Sequence, residues 1–303
     1  MSSPSLAQVV SVLDEAYPQT GAQSWDRVGL VTGDPEQPVH LVHFAVDPTL
    51  AVTREACEAG ASLLVTHHPL LLRGVHSVAT TSAKGAVVTG LIVGDVALYC
   101  AHTNADSATP GVNTALARAC GLDVEAVEPL TIAEDSPLGL VGDLPEPVSL
   151  VEFAENLAAR LPAAAGGVRV SGDAEGQVRR VALLGGAGDS LFDEVRSCGA
   201  DVYVTSDLRH HPALEAREEA RGGTPYLVDA GHYATEWLWL ARAADDLREA
   251  LASRGYDIDT YVSEIVTDPW TFTVGARGPG TVETGASAVS TESTENGRAR
   301  RAR

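Results

Sequence analysis

The stretch that most constrains this chain is Leu63-Leu64-Val65-Thr66, which runs straight into His67-His68-Pro69. A short apolar run after Gly60-Ala61 reads as a buried strand of a parallel sheet, and such sheets place their ligand sites just beyond the carboxyl ends of their strands. Neighbouring side chains on a strand point to opposite faces, so two adjacent histidines share one site only where the chain leaves the sheet. Pro69 helps it leave, because it cannot donate to a ladder and it biases His68 towards an extended backbone. Taken alone, such a pair more often means one core histidine beside an exposed one. The rest of the chain shifts that balance.

A chain of 303 residues with 45% apolar content is long enough for two compact domains or one large one. The formal net charge of -20, from 41 acidic and 21 basic residues, argues against a nucleic-acid surface. Cys57, Cys100, Cys120 and Cys198 are far apart, which indicates neither a zinc knuckle nor a disulfide framework. Without a basic-then-apolar leader, or an uncharged apolar run near the ~18 residues a membrane span needs, the expected location is the cytoplasm, with no membrane partner.

The chain reads as alternating helices and strands. Leu6, Val9, Val10, Leu13 and Ala16 have helical spacing behind Ser5 as cap, and Pro18 ends that helix. Ser24 to Pro35 reads as a shaped structural loop with a short strand. Val39 to Val46 is expected as a strand ending at Asp47, followed by a helix from Thr49; with the histidine strand this makes one βαβ unit. Asp47 is equally a support for the histidines or an ordinary helix entry. A further strand is expected over Leu91 to Cys100, emptying into Ala101-His102-Thr103-Asn104-Ala105-Asp106, before a helix opened by Pro110-Gly111. After Gly121 come a helix over Leu150 to Leu161 and strands over Val168 to Ser171 and Val178 to Leu184. Gly185-Gly186-Ala187-Gly188 reads as a turn into a helix, weakly suggestive of a phosphate cradle. Strands Gly199 to Thr205 and Tyr226 to Asp229 lead to His210-His211 and to His232 and Glu236, and a long amphipathic helix follows.

The halves repeat. Gly60-Ala61-Ser62-Leu63-Leu64-Val65-Thr66 matches Gly199-Ala200-Asp201-Val202-Tyr203-Val204-Thr205, and the pairs His102/Asp106 and His232/Glu236 each follow a strand. The expected fold is therefore α/β: duplicated α/β repeats with mixed, largely parallel sheets, the two halves intertwined around a shared metal site. The expected boundaries are 1–125 for the first repeat, 126–275 for the second and 276–303 for a disordered tail, closed by Arg298, Arg300, Arg301 and Arg303.

His67, His68, His102, His210, His211 and His232 all lie at strand ends, and His232 and Glu236 share a helix face. Imidazole with carboxylate suits zinc, iron, manganese or nickel, not calcium. Five candidates, His67, His68, Asp106, His232 and Glu236, exceed what one catalytic zinc uses and fit a pair of ions.

The segments Trp25-Asp26-Arg27-Val28-Gly29-Leu30, Leu64-Val65-Thr66-His67-His68-Pro69, Ala101-His102-Thr103-Asn104-Ala105-Asp106 and Asp229-Ala230-Gly231-His232-Tyr233-Ala234-Thr235-Glu236 resemble signatures of the Nif-three-like dinuclear metal-centre hexameric protein family. Its members are often labelled GTP cyclohydrolase 1 type 2 homologues. The resemblance spans about residues 5 to 270 and implies a toroidal homohexamer with two divalent metal ions per subunit. The implied ligands are His67, His68, Asp106, His232 and Glu236, the last bridging. Some relatives carry an extra domain between the halves, and this chain is too short for one.

His102 is a candidate for a supporting or proton-handling role, with a plain structural role as the alternative, and His211 is a candidate to contact substrate, while the segment around His211 departs from the family by having Ser206 in place of glycine. The function expected is a dinuclear metal-dependent hydrolase, GTP cyclohydrolase type 2-like, using a metal-bound hydroxide on a nucleotide or related heterocycle. The alternative is a non-catalytic hexameric metal-binding or interaction protein.

Overall fold

The structure, a computed structural model, describes residues 2–275. The residues expected as a disordered tail, 276–303, lie outside the described part. In the first half, helix α1 (Leu6–Ala16) leads to β1 (Gly29–Thr32), β2 (Leu41–Ala45), α2 (Leu50–Glu58), β3 (Leu63–Thr66), α3 (Ala83–Val93), β4 (Ala97–Cys100), α4 (Thr103–Ser107) and α5 (Val112–Ala119). Ser5 caps α1 as expected: its side chain accepts from the Gln8 N–H while Gln8 reaches back to the Ser5 N–H, a reciprocal box that satisfies two otherwise orphaned donors. Thr49 likewise caps α2 by accepting from the Val52 N–H.

The second half runs through β5 (Glu128–Ala133), β6 (Ser136–Ser149), α6 (Leu150–Ala158), β7 (Arg169–Ser171), β8 (Gln177–Ala187), α7 (Phe192–Ser197), β9 (Val202–Ser206), α8 (His210–Ala220), β10 (Tyr226–Asp229), α9 (His232–Ser253) and β11 (Asp259–Val262). Two mixed sheets result, ordered β1-β4-β3-β2-β11 and β5-β6-β8-β9-β10-β7. Each contains a parallel trio, β2-β3-β4 in one and β8-β9-β10 in the other, joined through helices in the same order. The repeat is thus visible as two strand–helix–strand–helix–strand units. Antiparallel strands flank the trios: β1 on the first sheet, and β5, β6 and β7 on the second.

The halves interlock. Trp239, Leu240, Ala243, Leu247 and Leu251 of α9 are buried in one cluster with Leu6, Leu13, Phe44, Leu63 and Tyr99 of the first half. Conversely, Leu116 and Ala117 of α5 lie in a cluster with Phe153, Val181, Val204 and Val228 of the second half. Each such Leu stabilises by about 1.5–3 kcal/mol, so each half depends on a helix lent by the other. Strand β11 adds to the exchange by pairing in parallel with β2. Residues Met1–Phe272 form one compact unit; of the unit that follows, only 273–275 are described. No helix among the described residues is long and apolar enough to cross a membrane.

Two sequence expectations need correction. Leu91 to Val93 are not strand but the last turn of α3, capped by Ser82 at its start and followed by a turn through Gly94 and Asp95, the latter at φ +56°. The β-branched Ile92 and Val93 face outward, 60% and 81% exposed, so their strand propensity gives way to the packing of Val87, Val88 and Leu91. Gly185 to Ala187 are not a turn but the end of β8, and α7 begins only at Phe192. The glycines are required by what packs on them. A Cβ at Gly185 would meet Val112 at 2.8 Å, and one at Gly188 would meet Thr205 Oγ1 at 2.2 Å. Their N–H groups are also committed, Gly185 to Asn113 Oδ1, Gly186 to Thr235 Oγ1 and Gly188 to the Ser206 carbonyl, so none of the three glycines offers its N–H to a phosphate.

Candidate metal centre

The carboxyl ends of the two parallel trios meet. Strand β3 is buried throughout and delivers His67 and His68, whose N–H groups still pair with the Ala45 and Val46 carbonyls at 3.2 and 2.9 Å. Thr66 Oγ1 donates to the His68 carbonyl at 3.0 Å, which turns the chain out of the sheet ahead of Pro69. The end of β4 supplies His102 and Asp106, and the end of β10 supplies His232 and Glu236 through the first turn of α9.

Three imidazoles present Nε2 to one spot because each Nδ1 is held from behind. His67 Nδ1 donates to the Ala101 carbonyl at 2.9 Å, His68 Nδ1 to Asp47 Oδ1 at 2.7 Å, and His232 Nδ1 to Asp207 Oδ2 at 2.9 Å. A partner on one ring nitrogen fixes the other as the ligating one. Glu236 Oε1 lies 2.9 Å from His232 Nε2 and 3.4 Å from His67 Nε2, while its Oε2 lies 3.1 Å from His68 Nε2. Asp106 Oδ1 is 3.6 Å from His67 Nε2. His102 Nδ1 is bound by both Asp26 oxygens at 3.0 Å, and its ring lies 5.1 Å from that of His67 and 5.4 Å from that of His68.

These residues fit a cation. Among the buried side-chain atoms, His67 Nε2 and Asp106 Oδ1 have no hydrogen-bond partner, and Glu236 Oε2 makes no well-aligned hydrogen bond although His68 Nε2 lies 3.1 Å away; such unsatisfied buried atoms are costly. Gly186 sits at φ +71° directly behind Glu236, and a Cβ there would come 2.6 Å from Oε1 and 3.4 Å from His232 Nε2. That strand end is therefore bare so that the carboxylate can occupy the space. Electrostatics point the same way. Burial would drive His68 and His232 neutral, yet Glu236 and the Asp47 and Asp207 carboxylates pull them up to about 11 and about 9. Burial pushes Asp106 up to about 7, with the His102 ring opposing and Glu236 adding to the rise. Glu236 itself, despite burial, is held well below the usual carboxylate range by His68, His67 and His232. The pocket demands positive charge, and protons supply it when nothing else does.

Two overlapping triads have their ligand atoms within 4.8 Å of one another: His67, His68 and His102, and His68, His232 and Glu236. The structure thus brings His67, His68, His102, Asp106, His232 and Glu236 together. It does not bring in His211, which is exposed in the first turn of α8 with its ring 5.2 Å from that of His210. The sequence marks no role for Asp26 or Asp207 at the cluster, and it marks Gly186 only as part of a phosphate-type turn, not as the space behind Glu236. Each follows or ends a strand or loop already marked by a motif, which was the available signal. What was missing was the register that carries Asp207 to His232 and Gly186 to Glu236.

This duplicated α/β chain, with its buried histidine–carboxylate cluster at the joined strand ends, matches the Duf34/NIF3 (NGG1p interacting factor 3) family over residues 4–269. The chain belongs to that family. It is 50% identical to a GTP cyclohydrolase 1 type 2 homolog of Streptomyces coelicolor, over 88% of this chain and 94% of that one. A protein of the same description from Mycobacterium tuberculosis is 36% identical over 372 aligned positions, covering 88% of this chain and 96% of the relative. Since 372 exceeds the 303 residues here, that relative carries inserted sequence absent from this chain. Among solved structures, a Bacillus cereus protein related to NIF3 superposes with a TM-score of 0.82 at 25% identity, over 90% of this chain and all of that one.

Proposed function

We propose that this chain holds two divalent cations among His67, His68, Asp106, His232 and Glu236, with Glu236 shared between them, and works as a metal-dependent hydrolase. The supporting observation is the convergence of three Nε2 atoms on one buried glutamate, each ring held at Nδ1. Imidazole and carboxylate donors suit zinc, iron, manganese or nickel. Bound ions of this kind lower the pKa of water and stabilise negative charge developing on a substrate. The chain's own residues supply the rest. Asp26 occupies His102 Nδ1, which leaves Nε2 as the nitrogen able to exchange a proton beside the cluster. Asp26 stays ionised in that role, because hydrogen bonds from His102 and Thr103 outweigh burial and hold it well below the usual carboxylate range.

The substrate in this reading is a nucleotide or related heterocycle, as the description of the relatives as GTP cyclohydrolase 1 type 2 homologs suggests. The working form in this reading is a toroidal homohexamer in the cytoplasm. Elemental analysis of the purified protein is expected to give about two metal ions per chain. Turnover of a nucleotide panel, lost on chelation and restored by metal, completes the test. Two retained ions with no turnover of any nucleotide would favour the non-catalytic metal-binding alternative, and light scattering at other than six chains would remove the hexamer.

A further inference from the structure

Trp25 is a large aromatic left 50% exposed, yet the loop that carries it is pinned on every side. The Gln23 N–H donates to Thr103 Oγ1 at 3.0 Å, and the Trp25 indole N–H donates to Gln23 Oε1 at 2.6 Å. Ser24 donates its N–H and its hydroxyl to the two oxygens of Glu134, at 2.6 and 3.0 Å. Glu134 stands with Asp135 at the tip of the β5–β6 hairpin, both at positive φ, so the second half of the chain reaches across to hold this loop. Asp26 accepts from the Arg27 N–H, from the Thr103 N–H and hydroxyl, and from His102. Of the other exposed aromatics, Tyr261 lies within β11 against the His43 ring, and Trp270 and Phe272 lie beyond β11, away from the cluster loops.

The pinned indole faces the chemistry. Its ring meets that of His102 edge to face, with centroids 5.8 Å apart and planes at 80°. His102 in turn touches the rings of His67 and His68. A continuous row of rings therefore runs from the buried cluster to a half-open indole at its rim. Ordering an exposed aromatic with this many hydrogen bonds gains little for the fold, whereas a rigid aromatic surface binds a partner ring with little further loss of its own freedom.

From this placement we infer that Trp25 is the stacking surface for a planar heteroaromatic ring of the substrate, holding that ring beside His102 and in front of the metal centre. The inference rests on the proposed hydrolase reading and adds to it the residue that selects a flat ring. Glu134 is the positioning residue that keeps the indole in place.

The test compares the full-length parent with Trp25→Leu and Trp25→Phe, using the four common nucleoside 5′-monophosphates as probes and ribose 5-phosphate as the ring-free control. Equilibrium dialysis should show the monophosphates binding at least tenfold more tightly than ribose 5-phosphate in the parent, with quenching of indole fluorescence. Trp25→Leu should lose about tenfold or more in nucleotide affinity and leave ribose 5-phosphate unchanged, while Trp25→Phe keeps most of the parent's affinity. Metal content is measured alongside. A parent without bound metal defeats the hydrolase reading, and the ring preference still decides the role of Trp25. Parent-like nucleotide binding in Trp25→Leu, or equal binding of ribose 5-phosphate by the parent, overturns the inference. So does a change of oligomer size in Trp25→Leu with nucleotide binding intact, which would make Trp25 a contact between copies.

Discussion

Glu236 has one oxygen near His67 and His232 and the other near His68, whereas Asp106 approaches the cluster by one oxygen only. A carboxylate that serves two ions should be harder to replace than one that serves a single ion. Glu236→Gln is therefore expected to lose both metals, and Asp106→Asn to retain part of one, as read by elemental analysis after dialysis. Both amides keep the parent shape, so equal retention in the two variants would contradict the shared role of Glu236. Gly186→Ala probes the same carboxylate from behind. Its methyl would press on Glu236 Oε1 and occupy a φ of +71°, so a loss of ~1–3 kcal/mol in stability is expected, with metal affinity down at least tenfold. The histidines and acids of the cluster were legible because each follows a strand signature. Asp207 and Gly186 were not, because a residue that acts by touching a partner 25 or 50 positions away leaves no local pattern.

Among the elements, α1 is readable from cap residue and periodicity together and α2 from its place after a strand ending at Asp47, and Ser5→Ala should cost about 1 kcal/mol in thermal or denaturant unfolding. Leu91-Ile92-Val93 looks locally like a strand although it closes α3, and only the burial of one face distinguishes the two. The hairpin β5–β6, helices α3, α4 and α8, and strand β11 left signals too weak to extract from one sequence. Strand β2 carries a fully buried His43, whose Nε2 lies 2.9 Å from Glu55 Oε2 and whose Nδ1 has no partner. Burial lowers its pKa, with Glu55 opposing. The folded form thus resists a proton that the unfolded chain accepts below about pH 6.5, so this histidine costs stability as pH falls through that value. His43→Gln should flatten the decline in melting temperature between about pH 7 and pH 5.5 relative to the parent. An unchanged slope would show that His43 is not the titrating group.

For the molecule as a whole, the exchange of α5 and α9 between sheets means that neither repeat carries a complete core. A fragment of residues 1–125 lacks β11, α9, His232 and Glu236. Expressed alone, it is expected to aggregate or to bind no metal at the parent's affinity, and a monodisperse fragment holding two ions would refute the shared centre. The duplication was legible from matched strand motifs, but the helix exchange was not, since an apolar helix face does not declare which sheet it covers. The candidate ligands arrive on strand ends of both sheets. Any ion seated there ties the sheets together in the folded chain and finds no such set in the unfolded one, so free metal concentration becomes a thermodynamic variable of folding itself. At a hundredfold excess over the dissociation constant, a single such ion adds about 2.7 kcal/mol to the unfolding free energy. Melting curves recorded across a series of metal buffers should climb with the logarithm of free metal and fall to a floor under chelation, a dependence that exhaustive dialysis alone would disguise as an unstable protein.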